Sequence, residues 1–233
     1  MQLLKNILSN TIHLFYPHVC TGCGSDSLSN ENLLCLTCLS DLPHTAFAQH
    51  ANNPVEKIFW GRIHLKAAHS EFYFSKSSLI QHLIHELKYK GNKDIGFYLG
   101  GLMGNSLLNS HRFLDIDVII PLPLFADKEF KRGYNQAAIV SHGISAVMNI
   151  PVLQNNVTRK RATETQTKKH RTERWENVAE SFIVKDHNAL QGKNILLIDD
   201  VITTGATLEA CANIILSIKD VQLSIATLAL AVK

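Results

Sequence analysis

The stretch Asn194-Ile-Leu-Leu-Ile-Asp-Asp-Val-Ile-Thr-Thr-Gly-Ala-Thr-Leu208 decides the fold. Ile195 to Ile198 is a compact apolar run of the kind that forms a buried strand. It delivers two adjacent acids, Asp199 and Asp200, to the strand's end. Val201, Ile202 and the run Thr203-Thr-Gly-Ala-Thr207 then open a helix expected over Thr207–Ile218. Small hydroxyl residues and a glycine at a helix N-terminus make an anion cradle. The free amides and the helix dipole favour negative charge, and the hydroxyls donate further hydrogen bonds. The acids just before it can accept from a vicinal diol and help hold a divalent cation, which prefers hard oxygen ligands. Two alternatives are weighed against this. An apolar strand ending in two acids also fits a Walker B strand, but the Gly-x4-Gly-Lys-Ser/Thr loop that reading requires is absent. The other is a solvated turn with Thr203 as an ordinary N-cap.

Outward from this stretch, helix and strand patterns alternate. Phe97–Leu108 and Ala137–Met148 read as helices, Ile116–Ile120 as a buried strand stopped by Pro121 and Pro123, and Leu223–Val232 as a closing strand. Pro151–Val157 suits a short strand. Upstream, Phe72–Phe74 is strand-like, and Leu79–Lys90 carries apolar residues at helical spacing. Alternation of this kind predicts an α/β fold, a parallel sheet covered by helices on both faces. His44–Lys57 has no sustained periodicity and reads as a linker.

Four of the five cysteines stand close together: Cys20-x-x-Cys23 and Cys35-x-x-Cys38, eleven residues between the pairs. Two such turns can close a tetrahedral four-cysteine site for a structural Zn2+, with Gly22 and Gly24 suiting the tight turn. Disulfides or a redox pair are the alternatives, and the former do not suit a chain without a secretion signal. Cys211 reads as a small core residue. The N-terminal stretch Met1–Phe15 reads as an amphipathic helix. Asn6, Ser9 and Asn10 interrupt it, and no small-residue cleavage site follows.

The 233 residues are 45% hydrophobic and 18% charged, with a net charge of +3. That excludes a disordered or coiled-coil chain and is too mild to indicate nucleic-acid binding. No apolar run reaches the roughly 18 residues of a membrane span, and the chain reads as cytoplasmic. The charge is uneven, however. Arg159–Arg174 holds seven Lys or Arg against two Glu. This tract can be a solvated loop, a loop closing over a developing anion, or a patch for nucleic-acid phosphates.

Residues 195–208 resemble the phosphoribosyl pyrophosphate (PRPP) motif of type I phosphoribosyltransferases. The resemblance narrows with the four-cysteine module, Leu87-Lys-Tyr-Lys-Gly91, Ile120-Pro-Leu-Pro-Leu124, Lys131-Arg-Gly-Tyr-Asn-Gln136 and Arg159-Lys-Arg-Ala-Thr-x-x-Gln166. Their order is similar to that of the ComF family, which includes the GntX-like proteins, and the likeness covers essentially the whole chain. It implies a type I phosphoribosyltransferase fold with a small zinc-binding module. It also implies PRPP and Mg2+ as ligands, with transfer to a nitrogen nucleophile. Asp199 and Asp200 would contact the ribose hydroxyls, and Thr203, Thr204, Gly205, Ala206 and Thr207 would hold the 5-phosphate. Arg161 and Arg159 would act from the catalytic loop, with Lys131 and Arg132 assisting. A non-catalytic sensor of PRPP or a nucleotide is the alternative. The family is also associated with competence, and so with single-stranded DNA and a helicase-like partner. The expected division is a helix plus four-cysteine module over residues 1–45, joining elements over 46–95, and the phosphoribosyltransferase domain over 96–233.

Overall fold

The computed structural model describes residues 19–26, 28, 32–159 and 182–232. The chain divides into two compact units, Met1–Leu42 and Pro43–Lys233.

In the first unit, the described residues make a cysteine turn and one short helix, α1 (Leu36–Ser40). The amide of Gly24 donates to Cys20 O at 2.8 Å, and the amide of Thr21 donates to Leu33 O at 2.9 Å, which brings the two cysteine pairs together.

The second unit is built on a four-stranded parallel sheet. Its strands are β1 (Ala67–Phe74), β2 (Val118–Pro121), β5 (Asn194–Ile202) and β6 (Gln222–Ala231), in the order β1-β6-β5-β2. A separate antiparallel hairpin joins β3 (Val157–Arg159) to β4 (Phe182–Val184). The helices are α2 (Pro54–Phe59), α3 (Leu79–Tyr89), α4 (Lys93–Leu108), α5 (Ala126–Arg132), α6 (Gln136–Met148) and α7 (Ala206–Leu216). β5 is interior to the sheet, and Ile195, Leu196, Leu197 and Ile198 are all fully buried. Continuous apolar character is what a strand covered on both faces requires.

Segment 46–95, expected to join two modules, is instead part of the second unit. β1 pairs along its length with β6, from Ala67 against Ser224 to Phe74 against Ala231. The stretch read as a linker is ordered by one buried side chain. Asn53 caps α2 by accepting from the amides of Val55 and Glu56, and its Nδ2 donates to Ala68 O at 2.8 Å and His50 O at 2.9 Å. Side-chain hydrogen bonds of this kind leave no periodic trace in a sequence.

α4 begins at Lys93, four residues before the start that its apolar pattern suggested. Glycines dilute that pattern, and they serve a close helix contact. A Cβ on Gly100 would lie 2.3 Å from Val140 O, and one on Gly143 would lie 2.1 Å from Phe97 O. Only hydrogen fits where α4 and α6 cross.

Candidate functional site

The site forms where β5 ends. Gly205 adopts φ +73°, a left-handed conformation that favours glycine. A Cβ there would also lie 2.9 Å from side-chain carbons of Ile58 and Phe59. α7 starts at the next residue, and no side chain caps it. Its first amides therefore lack an intramolecular side-chain acceptor and are available to an anion. Thr203 and Thr204 are exposed, while Ala206 and Thr207 are half-buried. These residues, with Asp199, line a cavity of about 60 Å³, room for a few waters or one small tetrahedral anion.

Arg62 braces the loop from behind. Its guanidinium donates to Thr204 O at 2.8 Å, Ile58 O at 3.0 Å and the Glu209 carboxylate at 3.0 Å. Two effects follow. The loop carbonyl is held by a cation and turned from the anion site. Glu209, in the first turn of α7, is neutralised where its charge would oppose a bound anion.

Asp199 and Asp200 lie within β5, which continues to Ile202, so alternation sends their side chains to opposite faces of the sheet. Asp200 is buried and meets Lys88 of α3 across 2.9 Å. Asp199 faces the other way and interacts electrostatically with Arg159, at the end of β3, and with Cys211 of α7. Burial raises the Asp199 carboxyl above the usual range and the negative charge of Asp200 raises it further. The Asp200 amide, donating at 2.8 Å, pulls it back in part, with Lys88 and Arg159. The half-buried Asp199 is thus a carboxyl able to hold a proton beside a carboxylate already paired with an ammonium. Thr227, paired in register with Asp199, has a buried hydroxyl with no hydrogen-bond partner.

Arg159 is clamped between aromatic rings, with its guanidinium carbon 3.7 Å from the Phe125 centroid and 5.0 Å from that of Phe182. Burial lowers its pKa and Asp199 is among the groups that raise it. The structure therefore brings Arg159 to Asp199. Arg161, with Lys160, Arg171 and Arg174, lies outside the described residues. Lys131 is exposed on α5. Arg132 turns toward α3, with its guanidinium 5.7 Å over the Tyr89 ring and a hydrogen bond to Gln136. The stretch after β2 is held beside β5 by the Leu122 amide, which donates to Ile198 O at 2.8 Å. Asn135 Nδ2 supports it by donating to Leu122 O at 2.9 Å.

In the first unit, the sulfurs of Cys20, Cys23, Cys35 and Cys38 all lie within 4.8 Å of one another, with Cys23 and Cys35 3.7 Å apart. Tetrahedral zinc with Zn–S near 2.3 Å needs sulfurs roughly 3.8 Å apart. The cluster could therefore hold a metal such as zinc. Burial would raise the Cys20 thiol, but amides of Cys35 and Gly22, at 3.2 Å and 3.4 Å, outweigh it and lower the thiol to about 6. Burial and the neighbouring sulfurs push Cys38 upward.

A family model described as the phosphoribosyl transferase domain matches residues 131–232. Competence protein F of Haemophilus influenzae is 28% identical over 218 residues, which cover 91% of this chain and 90% of that one. These likenesses support a ComF-type protein with a phosphoribosyltransferase-like domain. Competence protein ComFC of Bacillus subtilis is 36% identical over 99 residues. That match covers 42% of this chain and 38% of the relative. Among solved structures, the glutamine PRPP amidotransferase of B. subtilis aligns at 16% identity with a TM-score of 0.42. The alignment covers 60% of this chain and 30% of the amidotransferase. Among the described residues, no helix is long and apolar enough to cross a membrane.

Sequence reasoning gave little weight to one contributor to the site and missed another. Lys88 reads as an ordinary cation near a helix C-terminus, and only the packing of α3 reveals its acid partner. Arg62 stands in an unpatterned stretch and carried no signal.

Proposed function

We propose that the protein binds the ribose-5-phosphate moiety of PRPP with a divalent cation and transfers the phosphoribosyl group to a nitrogen nucleophile. The observation that carries this reading is the uncapped start of α7. Its amides and the Thr203–Thr207 loop face a small cavity directly after the two acids of β5. The 5-phosphate would sit in that loop, held by backbone amides and threonine hydroxyls. The ribose hydroxyls would lie over Asp199 and Asp200. The hard carboxylate oxygens suit Mg2+, which when bound with PRPP would offset charge on the leaving pyrophosphate.

Transfer balances simply. The nitrogen lone pair forms a bond to C1 as the C1–O bond breaks, and the electron pair leaves with pyrophosphate. The proton shed by nitrogen passes to solvent or to a basic group. Arg159 is near enough to Asp199 to answer the charge that develops, and Arg161 would extend that role from the adjoining tract. In the first unit, the four-cysteine cluster would hold Zn2+ in a structural role, with no ligand position left open for chemistry.

The names of the relatives, competence protein F and ComFC, support a place for this site in competence, which the family resemblance associates with the uptake of DNA. Single-stranded DNA and a helicase-like protein are the partners that would go with it.

Calorimetric titration with PRPP and Mg2+, on wild type and Asp200→Asn, tests the site. The wild type should bind and the variant should bind at least tenfold more weakly. Absence of wild-type binding refutes the reading. Pyrophosphate release across a panel of amines and bases then tests transfer, and binding with no release across the panel would leave a sensor of PRPP instead.

A further inference from the structure

One row of the sheet is polar where its neighbours are not. Ser70 of β1, Thr227 of β6 and Asp199 of β5 stand in register across three parallel strands. Residues aligned in this way point to one face of a sheet, here the face on which Asp199 meets Cys211 of α7. The row before it, Ala68, Ile225 and Leu197, and the row after it, Phe72, Ala229 and Val201, are apolar throughout. Ser70 and Thr227 are fully buried. We propose that Thr227 is a positioning residue for Asp199. Its hydroxyl donates to the carboxylate when the acid engages a ligand, and so aims the free oxygen at the ribose hydroxyls. The inference rests on the phosphoribosyl reading and adds to it a residue that touches no ligand.

Three observations carry this assignment. The first is an unused donor. Thr227 Oγ1 is buried with no hydrogen-bond partner. Valine has the same shape, and a buried hydroxyl without a partner costs stability that valine would not. The free fold therefore gives the hydroxyl nothing to do. The second is the acceptor beside it. Asp199 accepts at Oδ1 from the Asp200 amide at 2.8 Å. A carboxylate can accept about four hydrogen bonds, so capacity remains. Ser70, on the other side of Thr227, directs its own hydroxyl to Phe72 O at 3.5 Å. The third is a second unused donor. Arg159 Nε is also buried without a partner, and the charge of Arg159 acts on Asp199. Two unpartnered donors thus belong to residues that neighbour one carboxylate.

The two acids then have different anchors. Asp200 is fixed by a cation, the Lys88 ammonium at 2.9 Å. Asp199, hydrogen-bonded at Oδ1 alone, can still turn about its last bond. A second bond from the adjacent strand fixes the plane of the carboxylate, so the ligand does not have to order it. A hydroxyl suits that task. Its hydrogen swings toward the acid when needed, and it brings no charge to compete with a bound divalent cation.

The test separates the sugar from the phosphate. Ribose 5-phosphate with Mg2+, and inorganic phosphate, are titrated calorimetrically into wild type, Thr227→Val and Thr227→Ser. Thr227→Val should weaken ribose 5-phosphate roughly 10- to 100-fold, the range for one hydrogen bond to a charged group. Inorganic phosphate affinity should not change, because the Thr203–Thr207 loop is untouched. The Tm of Thr227→Val should equal or exceed that of wild type, since the hydroxyl removed had no partner. Thr227→Ser keeps the hydroxyl and should recover most of the affinity. In an Asp199→Ala background, Thr227→Val should have no further effect on ribose 5-phosphate. If Thr227→Val binds ribose 5-phosphate as wild type does, the inference fails and the phosphoribosyl reading stands. If it lowers the Tm and weakens both ligands equally, or if its effect persists without Asp199, Thr227 is structural and the inference also fails. If wild type does not bind ribose 5-phosphate, both are overturned.

Discussion

Replacing Arg62 with Ala isolates what holds the phosphate loop in its receptive form. The guanidinium satisfies the carbonyls of Thr204 and Ile58 and pairs with Glu209, and both charged side chains are largely shielded from water. Hydrogen bonds to charged groups contribute about 1.5–3 kcal/mol each, and these share one donor group, so a loss of about 2–3 kcal/mol in folding stability is expected. The effect on ligand has a separate origin. Without Arg62, Glu209 is an unpaired carboxylate one helical turn from a bound phosphate. At a separation of about 7 Å and an effective dielectric of about 20–40, Coulomb repulsion is about 1–2 kcal/mol. Affinity for ribose 5-phosphate should therefore fall roughly 5- to 30-fold in a calorimetric titration at low salt. The double variant Arg62→Ala/Glu209→Gln should recover most of that loss, because the repelling charge is gone, without recovering the stability. Wild-type affinity in a folded Arg62→Ala protein would refute the brace. Failure of Glu209→Gln to restore any affinity would refute the electrostatic part of the argument.

Other consequences follow from the same geometry. Gly205→Ala forces a Cβ against Ile58 and Phe59 and strains a left-handed φ, so ribose 5-phosphate binding should drop at least tenfold with a Tm lowered by a few degrees. Glu71 is buried, which alone would raise its pKa, but hydrogen bonds with His44, His69 and Ser106 outweigh that and lower it to about 2. Because the folded value lies below the unfolded one, its contribution of about 3 kcal/mol is complete above pH 4.5 and disappears as pH falls toward 2. Denaturant titrations across that window should show the loss in wild type and a much flatter profile in Glu71→Gln. Wild-type protein should carry one zinc per chain by metal analysis, and Cys20→Ser should lose it. A chelator should abolish hydrogen-exchange protection in residues 19–42, with ribose 5-phosphate binding retained.

What the sequence made legible was local. Four apolar residues, two acids and a small hydroxyl loop occupy one unbroken stretch, and each part signals through its immediate neighbours. The cysteine pairs are equally local. The division of labour between the acids was not legible. Adjacent in sequence, Asp199 and Asp200 look like a pair, yet the two-residue period of a strand separates them across the sheet. The brace was hidden for another reason: Arg62 and Thr204 are 142 residues apart in the chain. The order of residues 44–60 depends on Asn53, a single polar side chain with no periodic signature. The start of α4 was obscured because glycines, chosen for close contact with α6, weaken an apolar pattern.

The separation of the acids organises the rest of the site. On one face of the sheet, Asp199 looks toward Arg159, the hairpin and the start of α7. On the other, Asp200 looks toward Lys88 and Tyr89. A ribose lying over the end of β5 would touch both acids, and its substituents would lie on different sides of the strand. The tetrahedral group belongs with the amides of α7, where dipole and donors favour charge. The substituent at C1 would lie between the cationic hairpin on one face and the Lys88–Asp200 pair on the other. A leaving anion would gain from the hairpin, where the partially desolvated guanidinium of Arg159 interacts more strongly than it would in water. On the opposite face Lys88 is already paired with Asp200. On the phosphoribosyl reading, one strand with two faces would give the two sides of C1 different electrostatic surroundings, an arrangement that acids pointing the same way could not provide.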